Sequence, residues 1–157
     1  MYTYRMSTEA DRPEIERLIA HRYGTRRSAI DYLENRYLLC FDGDSLIAMS
    51  GVQKSTRFKG LEIDWTCTSK EYEGQGIMTE IFKRLLVDIT EDVYCSCWRW
   101  HDSKYCNLHK IMDRFNFEKV QDSRLSYNAK HYTCPSICVE CTGDTCHCFE
   151  DLYVRRF

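Results

Sequence analysis

The chain has 157 residues, enough for one folded domain with a buried core and too few for two domains of ordinary size. Hydrophobic residues make up 43% and charged residues 29% of it, proportions that argue against disorder. The net charge of -2 excludes a general attraction to nucleic acid or to anionic membranes. No apolar run approaches the roughly 20 residues of a membrane span, and the first residues lack the apolar core of a signal peptide. We therefore expect a cytoplasmic protein without membrane contact.

The predicted elements alternate between strands and helices. Short apolar runs predict strands, and apolar residues at a spacing of three and four predict helices. Such an order predicts an α/β fold in which helices cover a sheet. In chain order we expect a strand at 2–6, helices at about 8–21 and 28–35, strands at 37–41, 46–52 and 61–68, a helix from 77, a strand at 93–98, a helix at 107–115 and strands from 117 onward. The turn DGDS joins the strands at 37–41 and 46–52 into a hairpin, and Asn116 is placed to end the last helix in the left-handed conformation. The apolar stripes are Ile15, Leu18 and Ile19 in the first helix and Ile77, Ile81, Leu85 and Ile89 in the helix from 77.

The strand at 61–68 carries two carboxylates. It alternates between an apolar and a polar set, in which Glu62 and Asp64 belong to the polar one. Because residues two apart on a strand point to the same side, these two lie roughly 6.6 Å apart along it. A carboxylate in such a position suits a general base. The alternative is that both are solvated residues of a half-exposed strand.

Two glycines directly precede a strongly helical run in the sequence EGQGIMTEIFKRLL, residues 73–86. Gly74 and Gly76 let the backbone turn sharply, and the first turn of a helix presents unpaired N–H groups and the positive end of its dipole. Such a turn is typical of a pyrophosphate site, and a loop without any ligand is the alternative. Glu73 would repel phosphates unless it turns to solvent or pairs with Lys70.

Ten cysteines are many for a chain with no sign of secretion, and we expect them to be reduced. Five lie in apolar segments, where cysteine behaves as a small buried hydrophobic residue: Cys40, Cys67, Cys95, Cys97 and Cys106. The other five crowd into residues 134–148. Four of these could face each other across the turn TGDT and hold a structural zinc ion: Cys138, Cys141, Cys146 and Cys148. Two terminal strands that merely bury cysteines are the alternative.

The order of elements and three motifs resemble the GNAT superfamily of N-acetyltransferases. YRMSTEADRPEIERLI (4–19) is similar to that family's first strand and helix, TSKEYEGQGIMTEIFKRL (68–85) to its signature motif, and NLHKIMDRFNFEKV (107–120) to a later motif. The resemblance implies a single acyltransferase domain over residues 1–157, and the turn TGDT predicts a Cys-rich terminal hairpin at about 134–148 within it. It also implies a mixed, splayed central sheet of about six to seven strands flanked by about four helices.

The resemblance further implies transfer of an acetyl group from acetyl-coenzyme A to an amine by direct attack. It implies Glu62 as the general base, with Asp64 as the second choice. The family's tyrosine that protonates the leaving thiolate corresponds to Met112, so Tyr105, His109 or a water molecule are the candidates for that role. Asn107 is either a cofactor contact or a helix N-cap. The implied cofactor-binding residues are Trp65, Thr66, Cys67, Thr68, Gly74, Gln75, Gly76, Ile77, Met78, Thr79 and Asn107.

The class of the acceptor stays open at this point: a small molecule, a protein amine or a nucleobase. The cysteine-rich segment and HRYGTRR (21–27) would suit contact with nucleic acid, but the acidic net charge does not favour it. The leading interpretation is an N-acetyltransferase. Glu73 and the missing tyrosine point to the alternative, a catalytically inactive protein of this fold that acts by binding a partner.

Overall fold

The computed structural model of the protein describes residues 1–23, 37–99, 104–120 and 149–157. The chain divides into two compact units. The first unit comprises Met1–Gln53 and Asp64–Ile89, and the second comprises Lys54–Ile63 and Thr90–Phe157. The predicted helix at 28–35 lies outside the described residues. Within the described ranges, no helix has the length and apolar character that a membrane crossing requires.

The described strands form one mixed sheet, as predicted. Its seven strands follow the order β1-β2-β3-β4-β5-β7-β6, in which β4 and β5 are parallel and the pairs β1–β2, β2–β3, β5–β7 and β6–β7 are antiparallel. The strands are β1 (Thr3–Met6), β2 (Tyr37–Asp42), β3 (Ser45–Lys54), β4 (Leu61–Thr68), β5 (Val93–Arg99), β6 (Glu118–Lys119) and β7 (Phe149–Arg155). The α-helices are α1 (Arg12–Tyr23), α2 (Ile77–Leu85) and α3 (His109–Arg114), with 3-10 helices at Glu9–Asp11 and Lys70–Tyr72.

In the first unit, a buried carboxylate starts the helical segment that follows β1. Asp11 accepts hydrogen bonds from the backbone N and the hydroxyl of Thr8, at 2.7 and 2.8 Å, which makes a capping box. Arg5 donates two further bonds to the same carboxylate, at 2.6 and 2.7 Å. The Arg5 guanidinium holds the pKa of Asp11 well below its usual range. The cap thus fixes the direction in which α1 leaves β1.

The core of the first unit lies between α1 and the β2–β3 hairpin. The hairpin closes through Gly43, whose φ of +57° suits a tight turn. The predicted apolar stripe of α1 is confirmed, since Ile15, Leu18 and Ile19 are all buried. They pack in one cluster with Tyr37, Leu39, Phe41, Leu46, Met49 and Cys67.

In the second unit, alternate residues of β5 are buried. Val93, Cys95 and Cys97 are buried, and β7 runs antiparallel to β5 over its whole length. Met112 of α3 and Phe117, which follows this helix, are buried as well. All five cysteines that were predicted to be buried are buried and free: Cys40, Cys67, Cys95, Cys97 and Cys106.

Three local predictions differ from the structure. Helix α2 ends at Leu85, so Ile89 lies beyond it, and the residue buried at this end is Leu86. The regular alternation of β4 is interrupted at Trp65, whose φ is +42°. Helix α3 begins at His109, two residues later than expected. Each difference lies at an element end or at a backbone irregularity, where apolar periodicity carries little information.

Candidate functional site

The turn ahead of α2 contains two glycines in the left-handed region. The φ angles are +77° at Gly74 and +80° at Gly76, and both residues are exposed. The first internal hydrogen bond of the helix runs from Glu80 N to Gly76 O, at 3.1 Å. The N–H groups of Ile77, Met78 and Thr79 therefore precede the first helical bond, and no side chain caps the helix at Gly76.

The space in front of this turn is open. A Cβ atom built on either Gly74 or Gly76 meets no other atom within 4 Å. The side chains of Ile77 and Met78 do not fill that space, because both residues are buried, at 3% and 9% exposure. An exposed turn with two glycines, at the positive end of a helix, fits a diphosphate group.

The carboxylate of Glu73 has a cationic partner in the same unit. Its Oε1 atom lies 3.3 Å from a guanidinium nitrogen of Arg22, near the end of α1. The sequence suggested Lys70 as the partner, and the structure gives Arg22 instead. A paired carboxylate repels a nearby anion less than a lone one does, because the two charges largely cancel at a distance.

The side chain of Gln75 is fixed by contacts with the protein. Its Oε1 atom accepts a 2.6 Å hydrogen bond from the Tyr2 hydroxyl, and its Nε2 atom donates to the carbonyl of Glu71 at 3.2 Å. The ring of Tyr72 packs edge to face against that of Tyr2. The hydroxyl of Tyr72 donates a hydrogen bond to Asp42. These contacts tether the turn to the start of the chain and leave its main chain as the surface that can meet a ligand.

The predicted cofactor residues of β4 have engaged or buried side chains. Trp65 packs partly buried against the core of the first unit, with the strained φ described above. The Thr66 hydroxyl lies 2.7 Å from that of Ser50. Cys67 is buried, which raises the pKa of its thiol to about 12 and makes it inert. Thr68 is half-buried. Any contact of this strand with a cofactor is accordingly expected through its main chain.

Glu62 lies in the second unit and is not a solvated surface residue. Its side chain is only 14% exposed. The Ser55 hydroxyl donates to its Oε2 atom at 2.8 Å, and an Arg57 nitrogen lies 3.8 Å from its Oε1 atom. Asp64 lies in the first unit, where it accepts a 3.1 Å hydrogen bond from the hydroxyl of the buried Tyr37. The two carboxylates therefore have different polar partners.

The residues near α3 have mixed environments. Tyr105 is 48% exposed, and its ring stacks on that of His109 at 3.9 Å between centroids. The Nε2 atom of His109 lies 3.3 Å from an oxygen of Asp113, and its buried Nδ1 atom has no hydrogen-bond partner among the described residues. Met112 is fully buried, so the position that carries tyrosine in the resembling family belongs to the core here. Leu108 rather than Asn107 holds the N-cap position, and Asn107 is exposed.

The predicted zinc ligands lie outside the described residues: Cys138, Cys141, Cys146 and Cys148. In the ranges that the structure does describe, no three His, Cys, Asp or Glu side chains are grouped so as to hold a metal ion. The zinc site, the terminal hairpin at about 134–148 and the single-domain organisation remain predictions from the sequence.

Neither a family model nor a curated protein matches the sequence. Solved structures do match. An acetyltransferase of the GNAT family from Bacillus cereus aligns with a TM-score of 0.65 at 12% identity, over 99% of this chain and 97% of its own. NAA60 from Arabidopsis thaliana, solved with a bisubstrate analogue, aligns with a TM-score of 0.67 at 12% identity, over 99% and 98%.

The diaminobutyrate acetyltransferase EctA from Paenibacillus lautus also matches. That structure contains L-2,4-diaminobutyric acid and coenzyme A, and it aligns with a TM-score of 0.63 at 12% identity, over 98% of this chain and 93% of its own. The chain spans 44% of the length of a further match from Pyrococcus horikoshii, at a TM-score of 0.56. Likeness at such low identity establishes the fold, and the function has to be argued from the residues of this chain.

Proposed function

We propose that this chain, which has the fold of the GNAT-family acetyltransferases, is an N-acyltransferase that uses acetyl-coenzyme A. The observation that carries the proposal is the exposed glycine turn ahead of α2, with two left-handed glycines and open space in front of both. The main-chain N–H groups of residues 74–79 are proposed to hold the diphosphate of the cofactor. EctA, a protein of the same fold, has been solved with coenzyme A, which supports this choice of ligand.

The electrostatic obstacle at the turn is reduced by the protein itself. The Arg22 guanidinium 3.3 Å from Glu73 offsets the one carboxylate whose position argued against an anionic ligand. On this account, Gln75 contributes by fixing the turn, since both ends of its amide are bonded to the protein. The main chain of Trp65, Thr66, Cys67 and Thr68 and the exposed Asn107 are proposed as further cofactor contacts.

Coenzyme A supplies the acetyl group as a thioester. The acceptor nitrogen must lose a proton as its bond to the acetyl carbon forms and the carbon–sulfur bond breaks. We assign that proton to an Oε atom of Glu62, with Asp64 as the second choice. We assign Tyr105 as the donor of the proton that the departing sulfur takes up. Its ring is exposed and is oriented by stacking on His109.

A catalytically inactive binding protein is the second candidate function. Met112 favours it, since a buried thioether in the core cannot replace the phenol that the resembling family uses. The two candidates differ in a simple respect: both allow cofactor binding, but only the enzyme releases free thiol from acetyl-coenzyme A when an amine is added. A nucleobase acceptor depends on HRYGTRR (21–27) and on the cysteine-rich segment at 134–148, and of these the structure describes only residues 21–23.

Catalysis is tested by the release of free thiol, and the cofactor site is tested by a calorimetric titration of acetyl-coenzyme A into the wild-type chain, Gly76→Ala and Gly43→Ala. Both glycines have a positive φ and open space where a Cβ atom would lie, so each substitution should cost about 1–2 kcal/mol of stability. Of the two, only Gly76 adjoins the helix terminus, where it holds the N-cap position. We expect Gly76→Ala to weaken binding at least about 10-fold and Gly43→Ala to leave it unchanged.

Two results would contradict the proposal. One is a wild-type chain that does not bind the cofactor at millimolar concentration. The other is equal weakening in both variants, because the loss would then come from lower stability rather than from the turn.

A further inference from the structure

In the second unit, the connection between β3 and β4 is a compact turn that carries Arg57. The hydroxyl of Ser55 accepts hydrogen bonds from the backbone N atoms of Arg57 and Phe58, both at 3.0 Å. The backbone N of Ser55 donates to the carbonyl of Gly60, also at 3.0 Å. These bonds fix the path of residues 55–60 and with it the point from which the Arg57 side chain extends.

The Arg57 guanidinium is shared between two carboxylates that are largely removed from solvent. Its two terminal nitrogens lie 2.7 and 3.4 Å from the two carboxylate oxygens of Glu150, whose side chain is 8% exposed. The Glu62 carboxylate lies 3.8 Å away, and the Ser96 hydroxyl accepts a further bond at 3.1 Å. Among the described residues, one positive charge thus faces two negative charges, so this group keeps an excess of negative charge.

The three acceptors come from three neighbouring strands of the sheet. Glu62 is on β4, where it pairs with Tyr94 of β5. Ser96 is on β5, and Glu150 is on β7 opposite Trp98 of β5. Because residues two apart on a strand point to one side, Tyr94 and Ser96 share a face of β5. The acceptors are therefore built on regular strands, whereas the cation comes from a connection.

Two stacked aromatic rings adjoin this group of charges, since Phe58 follows Arg57 in the chain and Tyr94 pairs with Glu62 across the strands. The ring of Phe58 stacks on that of Tyr94, with 4.4 Å between centroids. Arg57 lies 5.0 Å from the Phe58 ring, and Arg156 lies 5.9 Å from the Tyr94 ring on the same stack. Carboxylates, a hydroxyl and aromatic faces are the groups that recognise organic cations.

We propose that Arg57 occupies the place of a cationic group of the acceptor, and that Glu150 together with Glu62 selects an amine that carries a second positive charge. The inference rests on the proposed function, in which Glu62 receives the proton of the acceptor amine. The Arg57 side chain is 35% exposed and belongs to a connection, so an incoming guanidinium or ammonium group can displace it. The same two carboxylates repel acceptors with a negative charge.

Agmatine, which joins a guanidinium group to a primary amine, is the probe. Its binding is measured by calorimetry without coenzyme A on the wild-type chain, Arg57→Gln and Lys54→Gln. The last is the matched control, because Lys54 pairs with Glu91 at 2.6 Å in the same unit and its substitution removes the same charge. We expect Arg57→Gln to bind agmatine at least about 10-fold more tightly than the wild type and Lys54→Gln to bind it as the wild type does.

A third variant locates the gain in affinity. In Arg57→Gln combined with Glu150→Gln, the affinity for agmatine should fall back to the wild-type value. 4-Aminobutyrate, which carries a carboxylate where agmatine carries its guanidinium group, should not bind any of these variants. Equal agmatine affinity in the wild type and Arg57→Gln, or a gain that persists in the double variant, would overturn the inference.

Loss of Arg57 leaves two carboxylates without their cation, which can prevent folding. Arg57→Lys keeps the charge but not the two-pronged contact with Glu150, so it should fold and bind agmatine about 3-fold more tightly than the wild type. No gain in this variant counts against the inference. If acetyl-coenzyme A fails to bind while these gains occur, the proposed function falls and the cation site stands. If the cofactor binds and agmatine affinity does not rise, the proposed function is supported and the cation site is refuted.

Discussion

Replacing Arg22 by Gln removes the cation that faces Glu73 and leaves an unpaired carboxylate beside the glycine turn. The Glu73 side chain is 49% exposed and the glycine turn beside it is exposed as well, so we use the dielectric constant of water for this charge. At roughly 8 Å from a diphosphate with about two negative charges, one extra negative charge costs about 1 kcal/mol. Screening reduces this to about 0.8 kcal/mol at 10 mM salt and to about 0.4 kcal/mol at 150 mM salt.

The assay is calorimetric titration of acetyl-coenzyme A at both salt concentrations into the wild type, Arg22→Gln, Glu73→Gln and the double variant. Arg22→Gln should bind about 4-fold more weakly than the wild type at 10 mM salt and about 2-fold more weakly at 150 mM salt. Glu73→Gln should bind more tightly by a similar factor, and the double variant should bind as the wild type does.

Two outcomes would refute this reasoning. Unchanged affinity of Arg22→Gln at low salt would mean that the pair is too far from the ligand to matter. A double variant that stays as weak as Arg22→Gln would mean that Arg22 acts through packing or direct contact rather than by neutralising Glu73.

Three further predictions concern stability and reactivity. Asp11→Asn should lower the free energy of unfolding by about 2–3 kcal/mol at pH 7, as seen by urea denaturation. Arg5 depresses the pKa of Asp11 in the folded state, so the Asp11 carboxylate makes its full contribution to the free energy of unfolding above the unfolded pKa of about 3.9. As the pH falls below that value, the difference in free energy of unfolding between the wild type and Asp11→Asn must become smaller. Gly60→Ala should cost about 3 kcal/mol, since its Cβ would collide with the Asp92 carbonyl oxygen, and a loss no larger than that of Gly43→Ala would contradict this. Cys67 should be alkylated at least about 100-fold more slowly in the native chain than in urea, as measured on its peptide by mass spectrometry, and equal rates would exclude its burial.

Most of the fold could be predicted from the sequence because its signals are local. The stripe of Ile15, Leu18 and Ile19 defined α1, and the paired apolar runs around DGDS defined the β2–β3 hairpin. Asn116, expected to end the helix of the later motif in a left-handed conformation, has a φ of +58°. Each of these features depends on residues a few positions apart, for which local backbone geometry determines which side chains lie together.

The environment of the candidate site could not be predicted in the same way. The partners of its charged groups come from distant parts of the sequence, as with Arg22 and Glu73 or Arg57 and Glu150. No periodicity links such residues, and only the folded chain brings them together. The positive φ of Trp65 is also not encoded locally, since the surrounding alternation reads as an ordinary strand.

The proposed cofactor site consists mainly of the main-chain N–H groups ahead of α2, and amide NMR measures these directly. Coenzyme A and pantetheine, which lacks the diphosphate, are each added to the 15N-labelled chain. We expect coenzyme A to shift the amide signals of Gly76, Ile77 and Met78 strongly and pantetheine to leave them unchanged. Unshifted signals with coenzyme A at saturation, or equal shifts with both compounds, would contradict this expectation.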